Sequence, residues 1–409
     1  MIELLSRLGA GRAALGAAGL LVLGLAGCTE DFTTPGSCPQ TCPGGNIVIR
    51  DTVIDALPDG DSTYTGYVAA GGGTGLLVST ADSADEILTA MRFGQLPDSV
   101  LIKDTLYTYT IDSIAVSVGV LARDPAAKGL MLQLYRAPAS LDSGVTYADV
   151  AGYLTPGTFL DSVVVPDTLQ SGNLRSVFSG ADLAKLEIPP ADSGVLALAV
   201  ALTADSATGV ELGNLTAGTF IPTITWYVSV ADADSASQPP AIRRVPSYET
   251  FVQRNPPVPT ADQLMVGGAP SSRSIVRFEV PDSVLVGVQI LRAELLLTPA
   301  QPIMGVPGIA TTITARGVLS DQGAKSPLIP LLASVVPVTV GSADTVVVEV
   351  VDIVRAWQVT TNPPAQAFFI SLQPEASSFT VPIFASTRSA SGVPRLRITY
   401  VAPLDFEEP

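Results

Sequence analysis

The stretch "RSIVRFEVPDSVLVGVQILRAELLLTP", Arg273 to Pro299, decides the fold. Val276, Phe278 and Val280 alternate with polar neighbours, so they share one face of a strand while Arg277 points to the other. Pro281-Asp282-Ser283-Val284 supplies a turn, and Ala293, Leu295 and Leu297 alternate along a second strand. The same pattern stands earlier in the chain as "LTAMRFGQLPDSV", Leu88 to Val100. Both run strand, Arg-Phe, then Pro-Asp-Ser-Val, which is the mark of an internal repeat.

Working outward, the rest of each copy matches too. "PTITWYV" at Pro222–Val228 answers "PRLRITY" at Pro394–Tyr400. Alternation puts Ile224, Trp226 and Val228 on one face, and Leu396, Ile398 and Tyr400 on the equivalent face. A short apolar strand precedes each Arg-Phe, at Gly75–Thr80 and Gln263–Gly268. Between the copies lies "ADADSASQPPA", which reads as a linker. Most other apolar runs are short, rich in Val and Thr, and bounded by Pro, Gly or Asp; only Ala148–Tyr153 and Val351–Trp357 read as helical. The expectation is an all-β chain with two tandem β-sandwich (jelly-roll-like) domains behind a lipidated, flexible tether. A signal peptide occupies 1–27, the tether 28–46, the first sandwich 47–231, the linker 232–241, the second sandwich 242–403 and a tail 404–409.

Composition agrees. With 33 prolines, 36 glycines and 6% aromatics, the chain favours many short strands separated by turns. Net charge is −16, and loss of residues 1–27 takes it to −17. The charge is uneven: residues 47–231 carry −12 and residues 242–409 carry −1. Nucleic acid is therefore not an expected partner, because binding it needs clustered Lys and Arg.

The N-terminus predicts placement. Arg7 and Arg12 precede an apolar run from Ala13 to Gly27, the pattern of an export signal and too short to span a bilayer. Leu25-Ala26-Gly27-Cys28 resembles a bacterial lipobox, in which the cysteine takes lipid and becomes the first residue of the mature protein. Cys28 is thus the expected lipidation site, and the membrane, through that anchor, the expected partner. Thr29 after it implies the outer membrane, since the resemblance reserves inner-membrane retention for Asp. Cys38 and Cys42, the other cysteines, form a candidate disulfide in an oxidising compartment.

Three motifs in the second copy carry a family resemblance. They are the Arg-x-x-x-Arg-Phe strand with its following Ala-x-Leu-x-Leu strand, the turn "VVVEVVDIVRAWQ" with Asp352, Val354 and Trp357, and the closing "FASTRSASGVPRLRITY". Together, over about Tyr248 to Val401, they resemble the DNRLRE domain, a β-jelly-roll module of secreted and surface bacterial proteins. The first copy looks like a diverged relative. It keeps Arg92, Phe93 and the Pro222 strand, but its nearest counterpart of the Trp turn, "LRSVFSGADLAKLEIPP", has no Trp. The resemblance implies a carbohydrate-binding module rather than an enzyme, and some members accompany enzymes acting on acidic polysaccharides.

The chemistry points the same way. The chain has no His, which excludes Ser-His and Cys-His nucleophilic catalysis. No acidic cluster stands out from the turn chemistry of its many Asp-Ser pairs. Calcium is a candidate only at Asp59-Gly60-Asp61 and Asp232-Ala233-Asp234, and neither continues into a dedicated loop. No metal or other cofactor is expected. Arg388, Arg395, Arg397 and Trp357 are the candidate glycan-binding residues: arginines pair with the carboxylates of an acidic polysaccharide, and an indole stacks on a sugar ring. Plainer readings stand beside these, a solvated strand face for the arginines and a core plug for Trp357. Arg277 recurs as Arg92, which favours a structural role for both, with a backbone carbonyl or Glu279 as its partner. The expected function is a non-catalytic, lipid-anchored cell-envelope protein that binds carbohydrate or matrix polymer through its second sandwich. The alternative is a structural or adhesive scaffold in a surface assembly.

Overall fold

A computed structural model describes residues 48–81, 86–189, 192–231 and 241–401. The signal peptide, the tether with Cys28, Cys38 and Cys42, nearly all of the linker and the tail lie outside the described residues. Residues 49–402 form one compact unit.

Two strands open it, β1 (Ile49–Asp55) and β2 (Asp61–Thr65). Then come β3 (Leu76–Ser79), β4 (Ile87–Phe93), β5 (Val100–Ile102), β6 (Thr105–Tyr107), β7 (Thr110–Arg123), β8 (Met131–Ala137), β9 (Phe159–Val164), β10 (Gly172–Ser179), β11 (Ala197–Thr203), β12 (Gly209–Leu212) and β13 (Thr223–Ser229). Past the linker come β14 (Ile242–Arg244) and β15 (Pro246–Gln253). The chain ends with β16 (Gln263–Met265), β17 (Ser272–Arg277), β18 (Gln289–Leu297), β19 (Thr312–Val318), β20 (Leu328–Pro337), β21 (Val346–Glu349), β22 (Ala365–Gln373), β23 (Ile383–Ala385) and β24 (Arg395–Val401). Among the described residues three short α-helices interrupt them, α1 (Tyr147–Gly152), α2 (Asp282–Leu285) and α3 (Val351–Ala356), along with short 3-10 turns such as Gly180–Leu186. The chain is all-β, and its strands form two sandwiches.

The first sandwich stacks a sheet ordered β14-β13-β7-β12-β3, with β10 also on β7, against one ordered β15-β4-β11-β8-β9. The second stacks β1-β24-β18-β21 against β2-β17-β22-β19-β20. The two five-stranded sheets have the same order, with β4 matching β17, β11 matching β22, β8 matching β19 and β9 matching β20. The Arg-Phe strands therefore occupy equivalent places. So do the short apolar strands, as β3 pairs with β12 and β16 with β23.

Alternation builds each core. Leu396, Ile398 and Tyr400 on β24 are buried with Phe278, Trp357 and Phe368. Phe93, Leu198, Val200, Ile224 and Trp226 fill the first. On β11 the opposite face carries Ala197, Ala199 and Ala201, whose small side chains let α1 lie against the sheet through Val150. A capping box starts that helix: Thr146 Oγ1 accepts from Asp149 N, and Asp149 Oδ2 accepts from Thr146 N at 2.9 Å.

The strand pairing departs from the expected boundaries. β1 pairs with β24 along its whole length, and β2 pairs with β17, so the chain's opening strands complete the second sandwich. Conversely β14 pairs with β13 and β15 with β4, so the strands that follow the linker complete the first. Residues 49–65 were expected in the first sandwich and residues 242–253 in the second; each set lies in the other. Alternation tells a strand which face is apolar, but not which of two similar edges it will join.

The crossing segment 66–75, "GYVAAGGGTG", runs between the sandwiches. Gly71 has φ +81°, and a Cβ there would strike the Glu249 carbonyl of β15, so only glycine fits. Nearby, Phe379 reaches from the second sandwich onto the first core, its ring against Gly209 of β12.

Candidate functional site

The expected glycan residues do not converge. Trp357 follows α3 and is 3% exposed, its ring centroid 5.1 Å from that of Phe368. It plugs the second core, as its place at the end of an apolar turn allows, and offers no face to a ligand from solvent.

Arg388 is engaged by the fold. Its Nη1 donates to Asp61 Oδ1 at 2.9 Å and to the Ala261 carbonyl at 3.0 Å, and its Nε lies 3.0 Å from Asp59 Oδ1. Asp61 is fully buried and also accepts from Thr387 N at 2.6 Å and Thr387 Oγ1 at 3.0 Å. The calcium candidate Asp59-Gly60-Asp61 and the glycan candidate Arg388 thus satisfy one another. Among the described residues, no group of three or more Cys, Asp or Glu side chains is arranged to hold a metal. Asp232 and Asp234 lie outside the described residues.

Arg395 and Arg397 do share the outer face of one sheet, where the alternation of β24 puts them. Their neighbours were not foreseen. Opposite Arg397 stand Val53 on β1 and Glu294 on β18, and opposite Arg395 stand Asp55 and Leu296. Arg397 Nη1 lies 3.2 Å from Glu294 Oε2, and Glu294 also pairs with Arg292 at 2.5 Å. Arg292 in turn reaches Glu349 at 3.3 Å. Three arginines and four carboxylates, Asp51 and Asp55 included, make this face slightly acidic. Arg395 alone of the candidates is exposed and without an ion-pair or hydrogen-bond partner among the described residues. The near-neutral charge expected of the second sandwich also becomes more acidic, because the exchange brings in Arg50, Asp51, Asp55, Asp59 and Asp61 and removes Arg243, Arg244 and Glu249.

The recurrent arginines are structural, as their recurrence suggested. Arg277 donates to the Gly60 carbonyl at 3.1 Å and pairs with Asp321. Arg92 donates to the Leu141 carbonyl at 2.8 Å and lies over Tyr248 of β15. Each grips the strand pair received from the other copy. Arg273 is a residue that sequence reasoning missed. It stacks on Tyr67 at 4.3 Å and makes a bidentate pair with Glu375 at 2.7 Å, which clamps the crossing segment. Tyr67 stands 206 positions away, so no local pattern could have signalled it.

The first sandwich carries a cleft of about 460 Å³ lined by Ile111, Ile114, Leu183, Leu186, Glu187 and Trp226. Apart from the cleft, Glu211 on β12, opposite Leu77 of β3, is 8% exposed, and burial pushes its carboxyl up to about 7. Burial also raises Glu249, although the Leu215 N–H it accepts at 2.8 Å opposes the shift.

No family model matches the chain, and no curated protein matches it. Among solved structures, "BspA_C_WT" aligns over 80% of this chain and 91% of its own, at 9% identity and a TM-score of 0.17. A D431N mutant VP2 protein of infectious bursal disease virus, from derived T=1 particles, aligns over 91% and 77% at 10% identity and a TM-score of 0.13. Likenesses this distant carry no argument about fold or function.

Proposed function

We propose that the chain is a lipid-anchored, non-catalytic module of the cell envelope that acts as a structural or adhesive scaffold, held by its second sandwich and presenting its first. One observation carries this reading. Ile49 pairs with Val401, so both ends of the compact unit leave the fold at one corner of the second sandwich. Among the described residues no end leaves from the first sandwich, which the exchanged strands and Phe379 fasten to the second. An anchor at Cys28 would hold this body by the copy that comes later in the sequence. Polymer binding by the second sandwich is the second reading, favoured by the free guanidinium of Arg395.

The test has two arms. Cys28→Ala should release the protein from membranes, and persistence of the unlipidated protein there would remove the anchor from the proposal. Calorimetry of the soluble chain against neutral and acidic polysaccharides should show no saturable binding. Saturable binding that Arg395→Ala abolishes would replace the scaffold reading with the polymer reading.

A further inference from the structure

We propose that the groove between β24 and β17, which β1 and β2 fill, is also a docking site for the same strand pair from a second copy of this chain. The inference stands on strand register and not on the reading of function above.

The pair is a separable piece. No described strand precedes β1, so segment 66–75 is the connection that joins β1 and β2 to the rest of the described fold. Fully extended, those ten residues reach roughly 30 Å. The contacts that hold the pair come from far along the chain. Ile54 and Ala56 enter the second core. Thr63 Oγ1 bonds Ser274 Oγ at 3.0 Å, and Thr65 Oγ1 bonds Ser272 Oγ at 2.8 Å. Asp61 docks into Thr387 and Arg388. A neighbouring copy offers the identical groove, so the exchange needs no new surface.

The chain already performs this exchange within itself. β14 and β15 occupy the first sandwich as β1 and β2 occupy the second, which shows that these edges accept a strand pair from a different repeat. β14 and β15 are connected at both ends. Among the described residues the pair β1 and β2 is joined to the fold at one end, which suits a strand donor between molecules. Because the contacts are the same in both arrangements, concentration sets the balance. A linked pair competes at an effective concentration in the millimolar range, so dilute chains stay closed and crowded chains exchange.

The register gives a direct test. Val53 and Arg397 face each other on β1 and β24, within reach of a disulfide if both become cysteine. The background is a chain starting at Thr29 with Cys38 and Cys42 changed to Ala. One variant carries Val53→Cys, a second carries Arg397→Cys, and a third carries both. The double variant should close an internal disulfide; its failure would overturn the register and the proposal with it. The two single variants, mixed, opened briefly in denaturant, returned to buffer and oxidised, should give a covalent dimer joined between positions 53 and 397. Its yield should rise with protein concentration. An internal disulfide in the double variant, with no 53–397 dimer at any concentration, would sink the proposal.

Discussion

Arg388 and Asp61 stand 327 positions apart in sequence and 2.9 Å apart in the structure. The carboxylate is fully buried and the guanidinium is partly exposed. Asp61 opens β2, a strand received from the chain's beginning, and Arg388 lies in the turn before β24. The pair therefore fastens the exchanged strands to the sandwich that receives them. The first sandwich has its own fastening, in which Arg254, just after β15, pairs with the buried Glu86 and stacks on Tyr147 at 5.3 Å.

Breaking the Asp61 lock should cost more from one side than from the other. Arg388→Ala leaves a buried carboxylate with only the Thr387 donors, and one-sided loss of a buried ion pair costs about 3–5 kcal/mol. Asp61→Asn leaves behind an arginine that solvent can still reach, so the expected loss is smaller, about 1.5–3 kcal/mol. The double variant should lose less than the two single losses added together. Urea unfolding of the three variants checks the order, and additive losses would mean the two residues do not act as a pair.

A cut in the linker should not separate the sandwiches. A specific protease site placed between Ser235 and Ala236 would give two fragments, and each holds strands of the other's sheet. The nicked protein should elute as one species at the size of the uncut chain and come apart only in denaturant. Two fragments separating in native buffer would contradict the strand register. The sequence reading, two tandem sandwiches on either side of a linker at 232–241, points to the opposite outcome.

That contrast shows what was legible in the sequence. The Arg-Phe strands, the short apolar strands before them and both helical turns follow from local alternation and turn residues. The matching of "GADLAKL" to the Trp turn was legible too. Each lies beside the central strand of its sheet, β10 with residues 180–186 on β7, and β21 with α3 on β18. Partner choice was not legible. Ile49–Asp55 mixes apolar and polar residues on both faces, so its pattern names neither β13 nor β24, whereas the Asp61–Arg388 pair fastens β2 beside it across 327 positions. For the same reason Asp61 read as a calcium ligand and Arg388 as a glycan ligand: each is a charge whose neutralising partner lies hundreds of residues away.

Glu211 should make stability depend on pH in an unusual direction. Its carboxyl sits at about 7 in the fold against an ordinary 4.5, because burial disfavours the charge. A raised folded value means the folded state holds the proton more tightly. The stability tied to that proton is complete below about pH 4.5 and is lost as pH rises through 7. The shift bounds the loss at about 3 kcal/mol. Glu211→Gln should flatten this part of the profile and exceed the parent in stability at about pH 8. Unfolding midpoints measured at about pH 5 and pH 8 for both proteins decide it, and parallel profiles would remove Glu211 as the cause.

The cleft in the first sandwich has an origin in the repeat. Asp182 to Glu187 aligns with Asp352 to Trp357, and the same i, i+3 ion pair recurs, Asp182–Lys185 at 3.0 Å and Asp352–Arg355 at 3.4 Å. Glu187 thus takes the place of the indole that plugs the second core, and it lines the cleft. The first sandwich carries its tryptophan on β13 instead, where the second has Ile398. Trp226 is buried there, and together with Leu183, Leu186 and Glu187 it lines the cleft that stays open. Glu187→Trp should lay a ring into that space and raise stability by about 1–2 kcal/mol, less than full burial of an aromatic gives because the cleft is open to solvent. Glu187→Gln removes the charge without filling the space and should change stability little. If the Trp variant unfolds at the same denaturant concentration as the Gln variant, the cleft is not a vacated indole socket.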